Sequence, residues 1–219
     1  MTVLFVLGTI IFFLGLDWAH RKFSRRAEAV PVAAAPAAFR QPRLPEGIFF
    51  TPSHTWLNLF PSGKVRCGID DFVSSLIGNP QVTLLRDSGT QVRKGDPIAR
   101  LQNGGKSLTL FAPIDGDIVD VNAGVALNPG LLRDKTFSDG WLYSIAPRRS
   151  SDLKTLLLGA ETRTWMQNEM RRLRDFFAGA EGNLVPAVLQ DGGMPVDGVL
   201  QSMDNRVWEE FQEKFLQPE

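Results

Sequence analysis

The sequence predicts a mainly β fold, a compact barrel or sandwich with one short helical insert, preceded by one transmembrane helix and followed by an α-helical extension. Residues 48–147 contain short strand-like runs separated by Pro, Gly, Asn and Asp turn signals. No charged side chain occurs before Asp17, and the residues ahead of it are strongly apolar. After residue 147, apolar side chains recur at helical spacing.

Composition excludes several classes of protein. The 219 residues contain 24 Lys or Arg and 24 Asp or Glu, so no net charge favours nucleic acid as a partner. Cys67 is the single cysteine, which excludes an internal disulfide framework and a CxxC metal site. Only two histidines occur, His20 and His54, and no nucleophile is paired with a base. We therefore predict a protein without catalytic residues and without a metal site.

The N-terminal segment, residues 1–19, is predicted to be a single transmembrane helix. Its apolar run is near the lower length limit for crossing about 30 Å of hydrocarbon. A cluster of Arg and Lys follows it between His20 and Arg26, whereas a cleaved signal peptide carries positive charge ahead of its apolar run. This cluster predicts that the soluble domain lies on the cytoplasmic side of the inner membrane. The alternative is a cleaved leader, which the small residues of segment 29–38 would suit.

Residues 20–47 are predicted to connect the membrane helix to the soluble domain. They begin with the basic juxtamembrane cluster and continue as an Ala- and Pro-rich stretch with almost no periodicity. Such a stretch tends towards polyproline II and reaches about 3.1 Å per residue. We expect a tether, or a linker that another subunit captures.

The β domain is predicted over residues 48–147. Its strand-like runs are TWLNLF, KVRCGI, QVTLLR, PIARLQ, SLTLFA, DIVDVN and WLYSIA. Each run ends at a turn signal, as small all-β domains require. The segment IDDFVSSLIG interrupts the series, and its apolar residues Phe72, Leu76 and Ile77 predict one short helix. Cys67 lies in a strand-like run and is expected to be a small buried side chain.

Six segments of this domain resemble the H protein of the glycine cleavage system, a lipoyl-carrier protein. In chain order they are FTPSHTW (50–56), GIDDF (68–72), GTQVRKGDPI (89–98), APIDGDIVDVN (112–122), NPGLL (128–132) and DGWLYSIAP (139–147). They occur in the family's order at nearly the family's spacing. The resemblance implies the flattened, lipoyl-type hybrid β-barrel of that family over residues 48–147.

The position at which the family carries its lipoyl group departs from the family pattern. The resemblance places the lipoylated lysine eight residues before the proline that matches Pro113, and that position is Gly105 here. Lys106 comes one residue later, and Gln102 stands where the family has an acidic residue. A shift of one residue turns a side chain to the other face of a strand. We therefore expect no cofactor and an ordinary solvated turn lysine. The alternative is a lipoyl group on Lys106, pushed outward by a rearranged glycine tip.

Two helical segments follow the β domain: an extension over residues 148–182 and a small docking segment over residues 183–219. An apolar stripe recurs in the first at Met166, Met170, Leu173 and Phe177. Asp204 is placed to cap a helix in the second. Because a small barrel already has its own core, we predict that some large apolar side chains of the two segments contact another subunit. The candidate side chains are Trp165, Met170, Leu173, Phe177, Trp208, Phe211 and Phe215. The alternative is that the helices pack on the barrel of the same chain.

Together these features predict a non-catalytic, H-protein-like accessory or structural subunit of a larger membrane protein complex rather than an enzyme. A membrane anchor, a long linker and an apolar extension fit assembly with other subunits. One alternative is a membrane-tethered lipoyl carrier that uses Lys106 to pass a group or electrons to a partner enzyme. A third is a sensor whose barrel binds another protein through the former carrier face.

Overall fold

The computed structural model describes residues 40–179, 189–190 and 194–218. The β domain contains, in chain order, β1 (Ile48–Phe50), β2 (Thr55–Leu59), β3 (Val65–Ile69), α1 (Asp71–Ile77), β4 (Gln81–Leu84), β5 (Gln91–Val92), β6 (Pro97–Asn103), β7 (Lys106–Phe111), β8 (Gly116–Val121), α2 (Ala123–Leu127), α3 (Leu131–Asp134) and β9 (Tyr143–Pro147). Beyond it come a 3-10 helix (Ser150–Thr155), α4 (Ala160–Gly179), β10 (Leu189–Gln190), β11 (Met194–Pro195), α5 (Val199–Ser202), α6 (Asn205–Phe211) and a π-helical turn (Gln212–Leu216). We call residues 194–218 the C-terminal segment.

Two antiparallel sheets make up the β domain. One has six strands in the order β1-β2-β3-β9-β8-β5, and the other has three in the order β4-β6-β7. Strands β6 and β7 form a hairpin in which Asn103 pairs with Lys106, so two glycines connect them. The predicted mainly β fold with helices is confirmed.

Alternate residues of the strands enter one apolar core. On β7, Leu108 and Leu110 are buried while Ser107 between them and the hairpin tip is exposed, as the two-residue period of a strand requires. Cys67 on β3 is fully buried in the same core. The core therefore fixes which side chains of the hairpin can face outward.

The helix predicted between β3 and β4 is present as α1, and all of its residues are buried. Asp70 caps it, because its side chain accepts a hydrogen bond from the backbone N–H of Val73 at 3.1 Å. The predicted apolar positions Phe72, Leu76 and Ile77 are all at most 1% exposed. The helix is covered on the barrel side and also by chain that follows the β domain.

Helix α4 packs its apolar stripe on the barrel. Leu173 and Phe177 are 0% and 1% exposed, and Met166 is buried in the same cluster as residues of β3 and α1. Trp165 and Met170 are partly buried against that cluster. The stripe is therefore part of the core of this chain.

The C-terminal segment packs on α1 and on β7. Asp204 caps α6 as predicted, since its side chain accepts a hydrogen bond from the backbone N–H of Val207 at 3.0 Å. Trp208, Phe211 and Phe215 are 1%, 0% and 3% exposed. The segment is thus folded against the β domain rather than standing apart as a separate docking unit.

These positions correct one expectation from the sequence. The side chains predicted to contact another subunit are buried or partly buried within the chain itself: Trp165, Met170, Leu173, Phe177, Trp208, Phe211 and Phe215. The physical reason is that the β domain leaves apolar surface in two places. The C-terminal segment covers α1 and β7, and α4 packs through Trp165 beside Phe50 and His54. The prediction that a small barrel could not accommodate both helical segments is wrong.

The segment predicted to cross a membrane, residues 1–19, lies outside the described residues, as does most of the linker over residues 20–47. Within the part of the chain that the structure describes, no helix combines the length and the apolar character that a membrane crossing needs. The membrane anchor therefore stays a prediction.

Leu173→Ala is expected to lower the free energy of unfolding by about 2–5 kcal/mol, because it leaves a cavity where a fully buried side chain of α4 meets the barrel. Urea unfolding followed by tryptophan fluorescence measures the change. Arg174→Ala, at the exposed neighbouring position, is the matched control and should change it by less than about 0.5 kcal/mol. Equal stability of Leu173→Ala and the unsubstituted chain would show that α4 does not belong to the core.

Candidate functional site

The tip of the β6–β7 hairpin carries Gly105, the residue to which the resemblance assigns the lipoyl position. Gly104 and Gly105 have φ angles of 56° and 84°, which suit a two-residue hairpin turn and are unfavourable for residues with a Cβ. A Cβ at Gly105 would meet no atom within 4 Å. The tip is therefore open in space, and the backbone conformation is what disfavours a side chain there.

Lys106 is the first residue of β7, and its amine is bound by the C-terminal segment. Nζ donates hydrogen bonds to the carbonyl oxygens of Gln201 at 2.8 Å and Met203 at 2.6 Å. The ring centroid of Trp208 lies 5.4 Å from Nζ, within the range of a cation–π interaction. The expectation of an ordinary solvated turn lysine is wrong, because Lys106 is half-buried and held by its own chain.

A glutamine side chain attaches the C-terminal segment to the edge of the hairpin. Gln212 Oε1 accepts a hydrogen bond from the backbone N–H of Thr109 at 2.6 Å, and Gln212 Nε2 donates to the carbonyl of Thr109 at 3.1 Å. Both polar groups of one β7 residue are thereby paired. The segment is fixed to β7 three residues beyond the lysine that it holds.

A second set of contacts attaches the segment to the end of α1. The backbone N–H of Gly198 donates to the Ser75 carbonyl at 2.7 Å, and Gln201 Nε2 donates to the Ile77 carbonyl at 3.2 Å. A Cβ at Gly78 would lie 1.7 Å from Gln201 Nε2. Glycine at position 78 therefore permits this close approach, and its φ of 70° also favours glycine.

Gln102 occupies the position where the resemblance implies an acidic residue. It lies on β6 opposite Ser107, and its Oε1 is 3.5 Å from Thr83 Oγ1. An amide has no net charge, so Gln102 contributes no negative field beside the hairpin tip. At the two positions that the resemblance singles out, the sequence thus has Gly105 and Gln102.

A buried charged cluster lies where α4 meets the barrel. His54, in the loop between β1 and β2, is 0% exposed and has a φ of 58°, which is uncommon for a residue other than glycine. Its Nδ1 lies 2.8 Å from Asp70 Oδ2, and its ring stacks on Phe72 with 4.1 Å between centroids. Nε2 lies 3.5 Å from Glu169 Oε2, an ion-pair contact rather than a hydrogen bond.

The two carboxylates keep this histidine protonated. Burial alone lowers the pKa of His54, but the charges of Asp70 and Glu169, with the hydrogen bond to Asp70, outweigh burial and raise the pKa from 6.5 to about 9. Burial alone raises the pKa of Glu169, but His54 and Arg172 outweigh it and lower that pKa. His54 is therefore a charged structural residue that ties the barrel to α4.

Three further features could carry chemistry or hold a ligand: the cysteine, a metal-binding group of side chains and a cavity. Burial raises the pKa of the Cys67 thiol to about 12, so this side chain packs as a small apolar group, as predicted. Among the described residues, no group of three or more His, Cys, Asp or Glu side chains is placed to hold a metal ion. A cavity of about 90 Å³ beside Lys94 and Pro218 is well below the roughly 300 Å³ of a small-molecule site.

Sequence reasoning identified Gly105 and Lys106 but missed the groups that hold the amine. The partners are backbone carbonyls 95 and 97 positions along the chain, and carbonyls carry no sequence signal because every residue has one. Trp208 was assigned to a partner interface, whereas its ring faces Lys106 of the same chain. The one sequence signal available was the presence of a tryptophan within a short tail.

Comparison with known proteins assigns the domain to a family. The family model of the glycine cleavage H-protein matches residues 48–169, more than half of the 219 residues. The glycine cleavage system H protein of Bartonella quintana is 31% identical over 117 residues, which cover 53% of this chain and 95% of that protein. The H protein of Thermus thermophilus is 30% identical over 115 residues, which cover 52% of this chain and 88% of that protein.

A solved structure agrees with the sequence comparisons. The crystal structure of a glycine cleavage system H protein from Mycobacterium marinum is 27% identical, with a TM-score of 0.50 over 57% of this chain and 99% of that chain. The chain belongs to the glycine cleavage H-protein family, which confirms the resemblance found in the sequence. The family match ends at Glu169, so the C-terminal segment that holds Lys106 lies beyond it.

The free energy of unfolding is expected to fall as the pH rises from 6.5 to 9. The folded chain raises the pKa of His54 from 6.5 to about 9, so the stabilisation is complete below pH 6.5 and is lost as the pH rises through 9. The loss is about 3 kcal/mol, because one pKa unit corresponds to about 1.4 kcal/mol. Urea unfolding at a series of pH values measures it.

Glu169→Gln is the matched variant for this series, since it removes one carboxylate beside the imidazole with little change of shape. Its stability should depend less on pH, because the His54 proton is then bound less tightly. The series ends at pH 9. Above this pH the Cys67 thiol ionises in the unfolded chain but not in the folded one, which lowers the free energy of unfolding further. Equal pH slopes in the two proteins would contradict the pairing of a charged His54 with Glu169.

Proposed function

We propose that this member of the glycine cleavage H-protein family is a non-catalytic, membrane-anchored accessory or structural subunit of a larger membrane protein complex, and that it carries no lipoyl group. One observation carries the proposal. Gly105 occupies the position of the attachment lysine, and the amine of the neighbouring Lys106 is bound by the chain's own C-terminal segment.

The residues at the hairpin tip do not fit a lipoyl group. Gly105 has no side chain to modify, and its φ of 84° disfavours any residue that has one. Lys106 lies in a strand, where its amine meets two carbonyls and the ring of Trp208. An arm attached at Nζ would have to displace these groups. The mismatch supports a family member that has lost its carrier chemistry.

The covered hairpin supports a role in assembly over the transport of a chemical group. A carrier must present its arm to more than one enzyme. In this chain, residues beyond the family match pair with β7 and with α1, and they close the face from which an arm would extend. The barrel and its helices then form a rigid platform, which suits a structural subunit.

The start of the described chain supports a firmly attached tether. The backbone N–H and Nε of Arg43 donate to Asp71 Oδ2 at 2.9 Å and 2.7 Å, and its Nη2 donates to Asp71 Oδ1 at 2.9 Å. Thr136 Oγ1 donates to the same carboxylate at 2.7 Å. We propose that residues 1–19 anchor the chain in the inner membrane and that residues 20–47 hold the barrel on the cytoplasmic side. The proposed partners are the membrane and other protein subunits, and no nucleic acid.

A membrane-tethered lipoyl carrier is the second candidate function, and membership of the family favours it. Lys106 would then be the attachment site, and the chain would pass a group or electrons to a partner enzyme. This function requires the C-terminal segment to leave the hairpin, since Nζ is otherwise engaged. The two candidates predict different masses for the purified protein.

Protein purified from cells that attach lipoyl groups is expected to have the mass of the unmodified chain. The reason is that Lys106 is held within the fold and Gly105 cannot be modified. Intact-mass and peptide mass spectrometry measure this, with a lipoylated H protein produced in the same cells as the positive control. Lys106→Ala should also leave the assembly of the host complex intact. A lipoyl adduct on Lys106 would overturn the proposal in favour of the second candidate.

The full chain is expected to stay with membranes through high-salt and alkaline carbonate washes, because residues 2–16 are uncharged and mostly apolar. A variant without residues 1–19 is the control and should appear in the supernatant. In inverted inner-membrane vesicles, added protease should digest the barrel. Release of the full chain by carbonate, or a barrel protected in intact inverted vesicles, would refute the proposed anchor and its orientation.

A further inference from the structure

The C-terminal segment binds the amine of Lys106. We call its binding site the receptor; it consists of the carbonyls of Gln201 and Met203 and the ring of Trp208. We infer that it shields Lys106 from acylation, so that Nζ accepts neither a lipoyl group nor another acyl group while the segment is in place. The inference rests on the proposed function, because it names the means by which the chain keeps its hairpin unmodified. It assigns to residues beyond the family match a role that the family fold does not supply.

The receptor is built from backbone carbonyls and one aromatic ring. A lysine ammonium has three N–H donors, and two of them are satisfied by the carbonyls of Gln201 and Met203 at the end of α5. The ring of Trp208 lies over Nζ at 5.4 Å. That ring is itself fixed, because Trp208 Nε1 donates to the Leu200 carbonyl at 2.6 Å.

Acylation has requirements that the bound amine does not meet. The amine must lose a proton, attack the carbonyl carbon of an activated acyl donor with its lone pair, and expel the leaving group, which is AMP for an acyl adenylate. The new amide nitrogen keeps a single N–H, so it cannot restore hydrogen bonds to both Gln201 and Met203. The acyl group also adds atoms at Nζ, which already lies 5.4 Å from the ring centroid of Trp208. An acylated Lys106 and a closed segment therefore exclude each other.

Contacts on both sides of the receptor keep the segment closed. On its N-terminal side, Asp197 Oδ2 lies 2.9 Å from Arg133 Nη1, and the Gly198 N–H bonds α1. On its C-terminal side, Gln212 pairs with both backbone groups of Thr109. Opening the segment must break these contacts and also expose the fully buried ring of Trp208. Spontaneous opening of the segment is therefore rare.

Trace acetylation of the full chain in detergent tests the inference. Acetic anhydride transfers one acetyl group to an amine and releases acetate, and peptide mass spectrometry gives the relative rate for each lysine. Lys64 and Lys154 are exposed and serve as references within the same molecule. Lys106 is expected to react at least about tenfold more slowly than either, since its hydrogen bonds must open first.

Two variants of α6 separate shielding from general instability. Trp208→Ala removes the ring over Nζ and should raise the Lys106 rate towards the rates of Lys64 and Lys154. Arg206→Ala is the matched control, because its side chain is exposed and its ion pair with Glu210 contributes little. It should leave the ratio of rates unchanged. If Trp208→Ala does not fold, the rates of Lys106, Lys64 and Lys154 in the unsubstituted chain still show whether Lys106 is shielded.

The outcomes distinguish this inference from the proposed function. If Lys106 reacts as fast as Lys64 in a chain that carries no lipoyl group, the shielding inference fails and the proposed function stands. A lipoyl adduct on Lys106 of the unsubstituted chain would overturn both. An equal rise of the Lys106 rate in Trp208→Ala and Arg206→Ala would overturn the inference, because the exposure would then not depend on the receptor.

Discussion

The buried ion pairs of His54 join the barrel to the helices that follow it. Asp70 on the barrel and Glu169 on α4 flank the imidazole, and neither carboxylate has more than 4% of its side chain exposed. Arg172 continues the chain of contacts, since it binds Glu169 and donates to the Lys214 carbonyl at 2.7 Å. Breaking a buried pair on one side costs about 3–5 kcal/mol. The β domain, α4 and the end of the C-terminal segment therefore form one folding unit.

A family fold can serve as a scaffold without carrier chemistry, which is the role proposed for this chain. The barrel depends on its apolar core and on the capped helix α1, and neither involves the hairpin tip. A glycine at position 105 is therefore compatible with the family fold. Residues that the family match does not include cover one side of the β6–β7 hairpin. Fold and function are separable in this way because function depends on one site.

Local sequence patterns predicted the secondary-structure elements, whereas contacts between residues far apart in the chain determine how those elements pack. The short helix α1 was predictable because Phe72, Leu76 and Ile77 have helical spacing. The start of α6 was predictable because Asp204 is a favourable N-cap residue. The apolar stripe on α4 was also predictable. Its spacing indicates that one face of the helix is buried, but it does not indicate against what, and in the structure that face packs on the barrel of the same chain. The position of Gly105 followed from the family spacing. The capture of the Lys106 amine did not, since it depends on carbonyls that every residue possesses.

The pairing of Gln212 with Thr109 has a consequence for the behaviour of many copies of the chain. Strand β7 is an outer strand of its sheet, and an outer strand with unpaired N–H and C=O groups is a template on which a strand of another molecule can add. Gln212 offers one donor and one acceptor to a single residue, as a neighbouring strand would, but its side chain cannot propagate the ladder. Lysines and arginines equal aspartates and glutamates in number, so net charge gives copies little mutual repulsion. At high protein concentration, one glutamine thus helps to stop sheet growth between molecules.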